Sequence, residues 1–286
     1  MLAGRQRRDS RSQRAFAMSA VEPIFSLQQG AVPLLVSLPH CGTLVPPSIL
    51  HRMVPRAQAL EDTDWHLAQV YAFVLELGAS LIVPRFSRYV IDLNRPPDNA
   101  PMYEGVNNTG LCPERFFSGD VLYQPDQQPD RGEVSQRRER YWQPYHDALR
   151  GELARLKSAH GHALLLDGHS IKSELPWLFA GRLPDLNLGT ADGATCAPSL
   201  RAALSQALQA QHDFTHVVDG RFKGGYIARH YGRPTENVHA VQLEMCWSCY
   251  MSEAAPYQLD PQRSARLAPL LHALVRTMLQ WKPSDD

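Results

Sequence analysis

The chain has 286 residues, 44% hydrophobic and 20% charged, enough for one large domain or two small ones. Its 29 Lys and Arg balance 29 Asp and Glu, so no global basicity points to nucleic acid; no apolar stretch approaches the roughly 18 residues that a membrane helix needs. Five cysteines, an odd number with no secretory signal ahead of them, point to reduced thiols and a cytoplasmic protein.

Residues 1–17 hold five arginines and one acid without an apolar pattern. The expectation is a disordered basic tail over residues 1–20, with Met18 as an alternative start, and a single domain over 21–286. Residues 24–38 read as one or two strands, broken at Gln28-Gln29-Gly30. Pro46-Pro47 opens a short helical turn. Leu67, Val70, Tyr71, Val74 and Leu77 recur at helical spacing, and Gly78 stands where that helix stops. Ser80 to Pro84 and Arg88 to Leu93 read as two further strands. Residues 96–132, rich in Pro, Gly, Asn and Asp, predict a long irregular connection of the kind that forms lids and binding loops. Glu133 to His160 is the clearest helix, with a kink expected at Pro144. An apolar run ending at Asp167 predicts a strand. A short strand near Leu186, a helix over Pro198 to Gln209 and a strand over Thr215 to Asp219 follow. Then come a helical turn over Tyr226 to Tyr231, a strand before Glu244 and a final helix over Pro261 to Gln280. The alternation indicates α/β architecture.

Three apolar runs end in chemically active residues: Leu34 to Gly42 carries His40, Ala163 to Ser170 carries His169, and Val238 to Glu244 ends in a carboxylate. Ligands in open α/β sheets sit beyond the carboxyl ends of such strands, so these runs would deliver two imidazoles and one acid to one rim. That is the makeup of a catalytic metal site, with a divalent metal, zinc first, as the cofactor. Taken alone, His40 is as easily a turn histidine and Asp167 a capping acid; the pairing of the two histidines at equivalent strand ends favours ligation. Asp167 is placed to fix the tautomer of His169. A third ligand is expected from Glu61-Asp62-Thr63-Asp64, Asp64 first and Asp62 in reserve, although capping accounts equally for one of these acids. Glu244 is the candidate general base, against a plain salt bridge at the sheet edge. Arg95, with Asn94, is the candidate anchor for a substrate carboxylate, because the guanidinium fork matches a carboxylate with two parallel hydrogen bonds. Arg88, Lys223, Arg229 and Arg233 are further cations near the proposed rim, and a substrate with two carboxylates could use a pair of them. Cys246 and Cys249 form a C-x-x-C with no second pair, and read as buried thiols.

The segments Ser37-Leu38-Pro39-His40-Cys41-Gly42, Asp62-Thr63-Asp64, Ser87 to Arg95, Asp167-Gly168-His169-Ser170, Gly224-Gly225-Tyr226 and Gln242-Leu243-Glu244 occur in an order that resembles the N-formylglutamate amidohydrolases of histidine degradation. The resemblance implies a metal-dependent deformylase releasing formate and glutamate from a small dicarboxylate substrate. It also implies a three-layer mixed sheet flanked by helices, like the zinc carboxypeptidases and aspartoacylases (phosphorylase/hydrolase-like). Those relatives use an Asn-Arg pair on a substrate carboxylate, a late glutamate as base and a His-x-x-Glu ligand pair. Here Asn94-Arg95 and Glu244 match. Thr43 stands three residues after His40, which is why Asp64 is taken as the second ligand. Alternative readings are a deacylase or peptidase for another N-acyl amino acid, a non-catalytic binder of acidic ligands, and a thiol hydrolase built on Cys41.

Overall fold

A computed structural model describes residues 23–101 and 107–283; the basic tail and Met18 lie outside them. Among the described residues, one sheet of seven strands runs in the order β1 (Phe25–Gln28), β3 (Ser80–Pro84), β2 (Leu34–Ser37), β4 (Ala163–Ile171), β7 (Val238–Cys246), β5 (Leu186–Gly189), β6 (His216–Val218). The four central strands β3, β2, β4 and β7 are parallel; β1 and β5 join them antiparallel, and β6 pairs parallel with β5. Every residue of β2 and β4 is buried, as expected of parallel strands covered on both faces.

Helices form the outer layers. On one face, Leu34, Val36, Leu164, Leu166, Val241 and Leu243 pack with α2 (Leu67–Val70), α3 (Phe73–Glu76), α6 (Pro198–Gln209) and α8 (Pro261–Gln280). On the other, Leu35, Leu165 and Ala240 pack with α5 (Gln143–His160) and α7 (Tyr226–Tyr231). The architecture is thus three-layered α/β. Gly168 lies on the first face. A Cβ built there would come within 2.7 Å of the Leu38 side chain and 3.4 Å of the Tyr71 ring, so only hydrogen lets this wall reach the strand.

Several predicted elements differ in detail. Helix 67–77 is split into α2 and α3, the break falling where Tyr71 turns its ring onto Gly168. Arg88–Leu93 is a turn, not a strand; its buried Tyr89, Val90, Ile91 and Leu93 fill the second core without strand periodicity. The long helix comprises α4 (Arg131–Arg137), a π-helical turn (Arg138–Trp142) and α5. Pro144 has no N–H to donate back to residue 140 and its ring crowds that carbonyl; the wider π turn just before it accommodates both. β4 and β7 run on through His169 and Glu244 rather than ending ahead of them.

The π turn has a second effect. Trp142 Nε1 donates to the Arg95 carbonyl at 3.0 Å, and His146, one turn on, reaches the Leu93 carbonyl through Nε2 at 2.9 Å. The two rings stack at 3.7 Å and grip the chain on either side of Asn94. The Leu93 carbonyl only accepts, so His146 Nε2 donates; Tyr231 Oη lies 2.9 Å from Nδ1 and 3.0 Å from the His146 carbonyl, and its single proton serves one of the two. Burial pushes the His146 imidazole down to about 3. Neutral His146 therefore stabilises the fold fully above its unfolded value near 6.5, and that contribution is lost as pH falls towards 3. The expected slope is about 1.4 kcal/mol per pH unit below pH 6.5 from this group. Denaturant unfolding of wild type and His146→Gln between pH 7 and pH 5 checks it: the variant should lose stability less steeply, and parallel slopes would refute a neutral buried imidazole.

Candidate metal centre and active site

The site forms at the carboxyl ends of β2, β4 and β7. His40 follows β2 in the Pro39-His40-Cys41-Gly42 tip, His169 lies on β4, and Glu244 is its register partner on β7. Ser37, Asp167 and Gln242 form the next row on the same face, because side chains two apart along a strand share a face. Asp64 comes from the turn before α2, where its backbone N–H donates to the His40 carbonyl at 3.1 Å and so ties the two tips together.

His40, Asp64 and His169 converge. His40 Nδ1 and His169 Nδ1 lie 3.1 Å apart, and Asp64 Oδ2 is 3.6 Å from the first and 3.3 Å from the second. All three side chains are buried, and Asp64 Oδ2 has no hydrogen-bond partner. Two imidazole nitrogens and an orphaned carboxylate oxygen facing one point form a donor set of the kind that holds a cation. Their far sides fix the tautomers. His40 Nε2 meets Asp92 Oδ1 at 2.7 Å, and His169 Nε2 meets Asp167 Oδ2 at 2.9 Å and Asn94 Nδ2 at 2.8 Å; where the carboxylates take the Nε2 protons, a neutral ring turns an unprotonated Nδ1 toward Asp64, with Arg88 Nη1 3.2 Å from that of His40. Asp92 also accepts from Arg88, and Asp167 from Ser37 at 3.2 Å and Asn94 Nδ2 at 3.1 Å. Burial opposes charge on His169, but Asp167 and Asp64 outweigh it and hold the imidazole well above its ordinary range, so a cation would bind at Nδ1 by displacing a proton. Burial likewise raises Asp64, and the two histidines reverse that, bringing it to about 2. The donor set of two imidazoles and one carboxylate, with its pocket side open, suits a divalent cation such as zinc.

Asp62, the reserve ligand, is elsewhere. Its Oδ2 accepts from Tyr89 Oη and Phe117 N, both at 3.0 Å, and burial pushes the carboxyl up to about 6. Cys41 turns away to the Asp64 carbonyl, and burial holds its thiol well above the usual range, the opposite of an activated nucleophile.

Glu244 lines the same cleft, 7% exposed. Its Oε2 meets the Gln242 amide at 3.4 Å, and no ion pair holds it among the described residues. Burial pushes this carboxyl up, to about 8, with Asp64 and Asp167 adding to the rise and His169 and Arg88 opposing it. An unpaired buried carboxyl beside a cation site is placed for proton transfer.

Arg88, Asn94 and Arg95 line the cleft as expected, with different surroundings. The Arg88 guanidinium bridges Asp92 and, at 3.2 Å, His40 Nδ1, and lies over the Phe117 ring at 4.4 Å. The Asn94 amide is engaged within the protein: Oδ1 accepts from Ile227 N at 2.7 Å while Nδ2 serves Asp167. Arg95 is steadied by Thr109, through the carbonyl at 2.9 Å and Oγ1 at 3.0 Å. Of the other rim cations, Lys223 pairs with Asp192, Arg229 donates to the Gly224 carbonyl and Arg233 to the Arg229 carbonyl. Arg221 lines the cleft and was not distinguished by sequence; nothing in Gly220-Arg221-Phe222 separates it from its basic neighbours. Asp92, within a segment read as a strand, was likewise not singled out.

The sequence profile of the N-formylglutamate amidohydrolase family matches residues 32–251. An N-formylglutamate deformylase of Pseudomonas aeruginosa is 45% identical over 261 residues, covering 91% of this chain and 98% of that protein. One from Pseudomonas putida is 43% identical over 261 residues, covering 91% and 97%. The crystal structure of N-formylglutamate amidohydrolase from Ralstonia eutropha JMP134 superposes with a TM-score of 0.75 at 25% identity, covering 89% of this chain and 97% of that one. A protein of Agrobacterium tumefaciens shares the fold, with a TM-score of 0.66 at 16% identity over 89% of this chain and 94% of that one.

Proposed function

The chain belongs to the N-formylglutamate amidohydrolase family, and on that premise we propose that it hydrolyses N-formyl-L-glutamate to formate and L-glutamate at the cleft formed by β2, β4 and β7. The convergence of His40 Nδ1, His169 Nδ1 and the orphaned Asp64 Oδ2 carries the reading. These three residues hold a divalent metal, zinc by the character of the donors. When bound, it supplies Lewis acidity to the formyl carbonyl and lowers the pKa of water.

The chain's own residues do the rest. Glu244 takes a proton from the attacking water as it adds to the formyl carbon. The same carboxyl returns the proton to the amine as the C–N bond breaks. Arg95 orients a substrate carboxylate, and Asn94 acts from behind by holding Asp167 and the α7 N-terminus in place. Arg88 faces the cleft beside His40, where its charge favours the oxygen that gains electron density. The site's place at the ends of parallel central strands supports a zinc-carboxypeptidase-like arrangement. One continuous sheet from Phe25 to Cys246 supports a single metallohydrolase domain over residues 21–286. Five free cysteines support a cytoplasmic setting; among the described residues no helix is long and apolar enough to cross a membrane.

The test is formate release from N-formyl-L-glutamate with metal content measured alongside. Turnover is expected, abolished by a chelator and restored by zinc. Metal-replete protein that releases no formate, or activity indifferent to the chelator, would overturn the reading.

A further inference from the structure

We propose that Arg221 recognises the side-chain carboxylate of the substrate and so sets the preference for a dicarboxylate; the assignment rests on the reaction proposed above. N-formylglutamate carries two carboxylates, and two anionic groups in a partly desolvated cleft each need a cation. Arg95 provides one. Arg88 is ill placed for the other: it is 5% exposed, its guanidinium is shared between Asp92 and His40, and it borders the reacting end of the cleft. Lys223, Arg229 and Arg233 are absent from the cleft lining. Arg221 is present in it.

The segment that carries Arg221 is fixed to the sheet edge. Asp219 N donates to the Leu188 carbonyl at 2.8 Å, Ala191 N to the Lys223 carbonyl at 2.5 Å, and Gly225 N to Gln242 Oε1 at 2.6 Å. It crosses Gly189 so closely that a Cβ there would lie 2.6 Å from Gly224 N. The Arg221 guanidinium donates to the Leu178 carbonyl at 3.1 Å and lies near the Phe222 ring, which packs edge-on against Phe179. Leu178 and Phe222 also line the cleft, giving an apolar wall suited to the two side-chain methylenes of glutamate.

Arg95 Nη1 donates to the Asn94 carbonyl at 3.1 Å, and the Asn94 amide touches Asp167 and His169, so Arg95 sits beside the end that takes the scissile amide. That end receives the α-carboxylate, only one carbon from the amide nitrogen. Arg221, reaching in from the loop between β6 and α7, is left for the distal carboxylate.

The experiment compares N-formyl-L-glutamate with N-formyl-L-glutamine, which has the same length and no side-chain charge. In Arg221→Gln the ratio of kcat/KM values, glutamate over glutamine substrate, is expected to fall about 10²-fold, the loss of a charged hydrogen-bonded pair. In Arg95→Gln both substrates should suffer together. Arg221→Lys, which keeps the charge without the fork, should fall between wild type and Arg221→Gln. A ratio unchanged in Arg221→Gln, or equal losses on both substrates, overturns the assignment. Glutarate and butyrate binding to the zinc-loaded protein, followed by calorimetry, needs no turnover. Selective loss of glutarate binding in Arg221→Gln supports the assignment even if wild type releases no formate, an outcome that would sink the proposed reaction alone.

Discussion

Glu244→Gln is expected to keep its metal while kcat falls roughly 10²-fold or more, the usual contribution of a positioned general base. The substitution is nearly isosteric and leaves His40, Asp64 and His169 untouched, so binding geometry should persist. What disappears is the ability to accept a proton. Wild-type Glu244 has no ion pair among the described residues and only the Gln242 amide within reach, so its carboxylate is left to the cleft it lines. As a base it works deprotonated, so activity should rise with pH as this group loses its proton; burial displaces that limb upward from the ordinary carboxylate range, and a cation bound at the proposed site would draw it back down. The variant should lose the limb along with the rate. Metal analysis, kcat and a pH–rate profile on the same preparation read all three. Retained turnover with an intact acid limb would remove Glu244 from the chemistry.

Asp64→Ala should act differently, by emptying the site. Losing one of the three proposed ligands is expected to bring metal content near background and to lower activity by roughly 10³-fold or more, since the several kcal/mol that a Lewis acid supplies would go with it. Asp62→Asn is the matched comparison. Asp62 is buried two residues away, yet it serves Tyr89 and Phe117 rather than the histidines, so its variant should keep the metal. If Asp62→Asn loses the metal and Asp64→Ala retains it, the ligand set has been misassigned.

The strands and helices were readable wherever burial imposed a period, as in α6, α8 and β3. So were His40 and His169, because polar tips directly follow long apolar runs. The choice between Asp62 and Asp64 was not open to periodicity: both are buried acids in one turn, and a contact from another part of the chain decides what each does. The strand expected over Arg88–Leu93 shows the same limit. Its apolar residues are buried, but in a turn that brings Arg88 and Asp92 together behind His40. Polar residues inside β4 and β7 looked like loop because a buried Asp or Glu is costly unless paired. For Asp167 the network of Ser37, Tyr145 and Asn94 answers that cost across the sheet, while Glu244 meets only the Gln242 amide. Arg221 escaped notice because one cation in a basic loop resembles the next until the loop's path is known.

Gly168, flanked by Asp167 and His169, lets Leu38 and Tyr71 lie directly against the backbone on the far side of the sheet. That contact acts as an anvil. It leaves the peptide that carries His169 packed on its opposite side by two buried side chains. A methyl group at 168 would meet the Leu38 δ-methyl at 2.7 Å, so that buried side chain, two residues before His40, would have to give way to it.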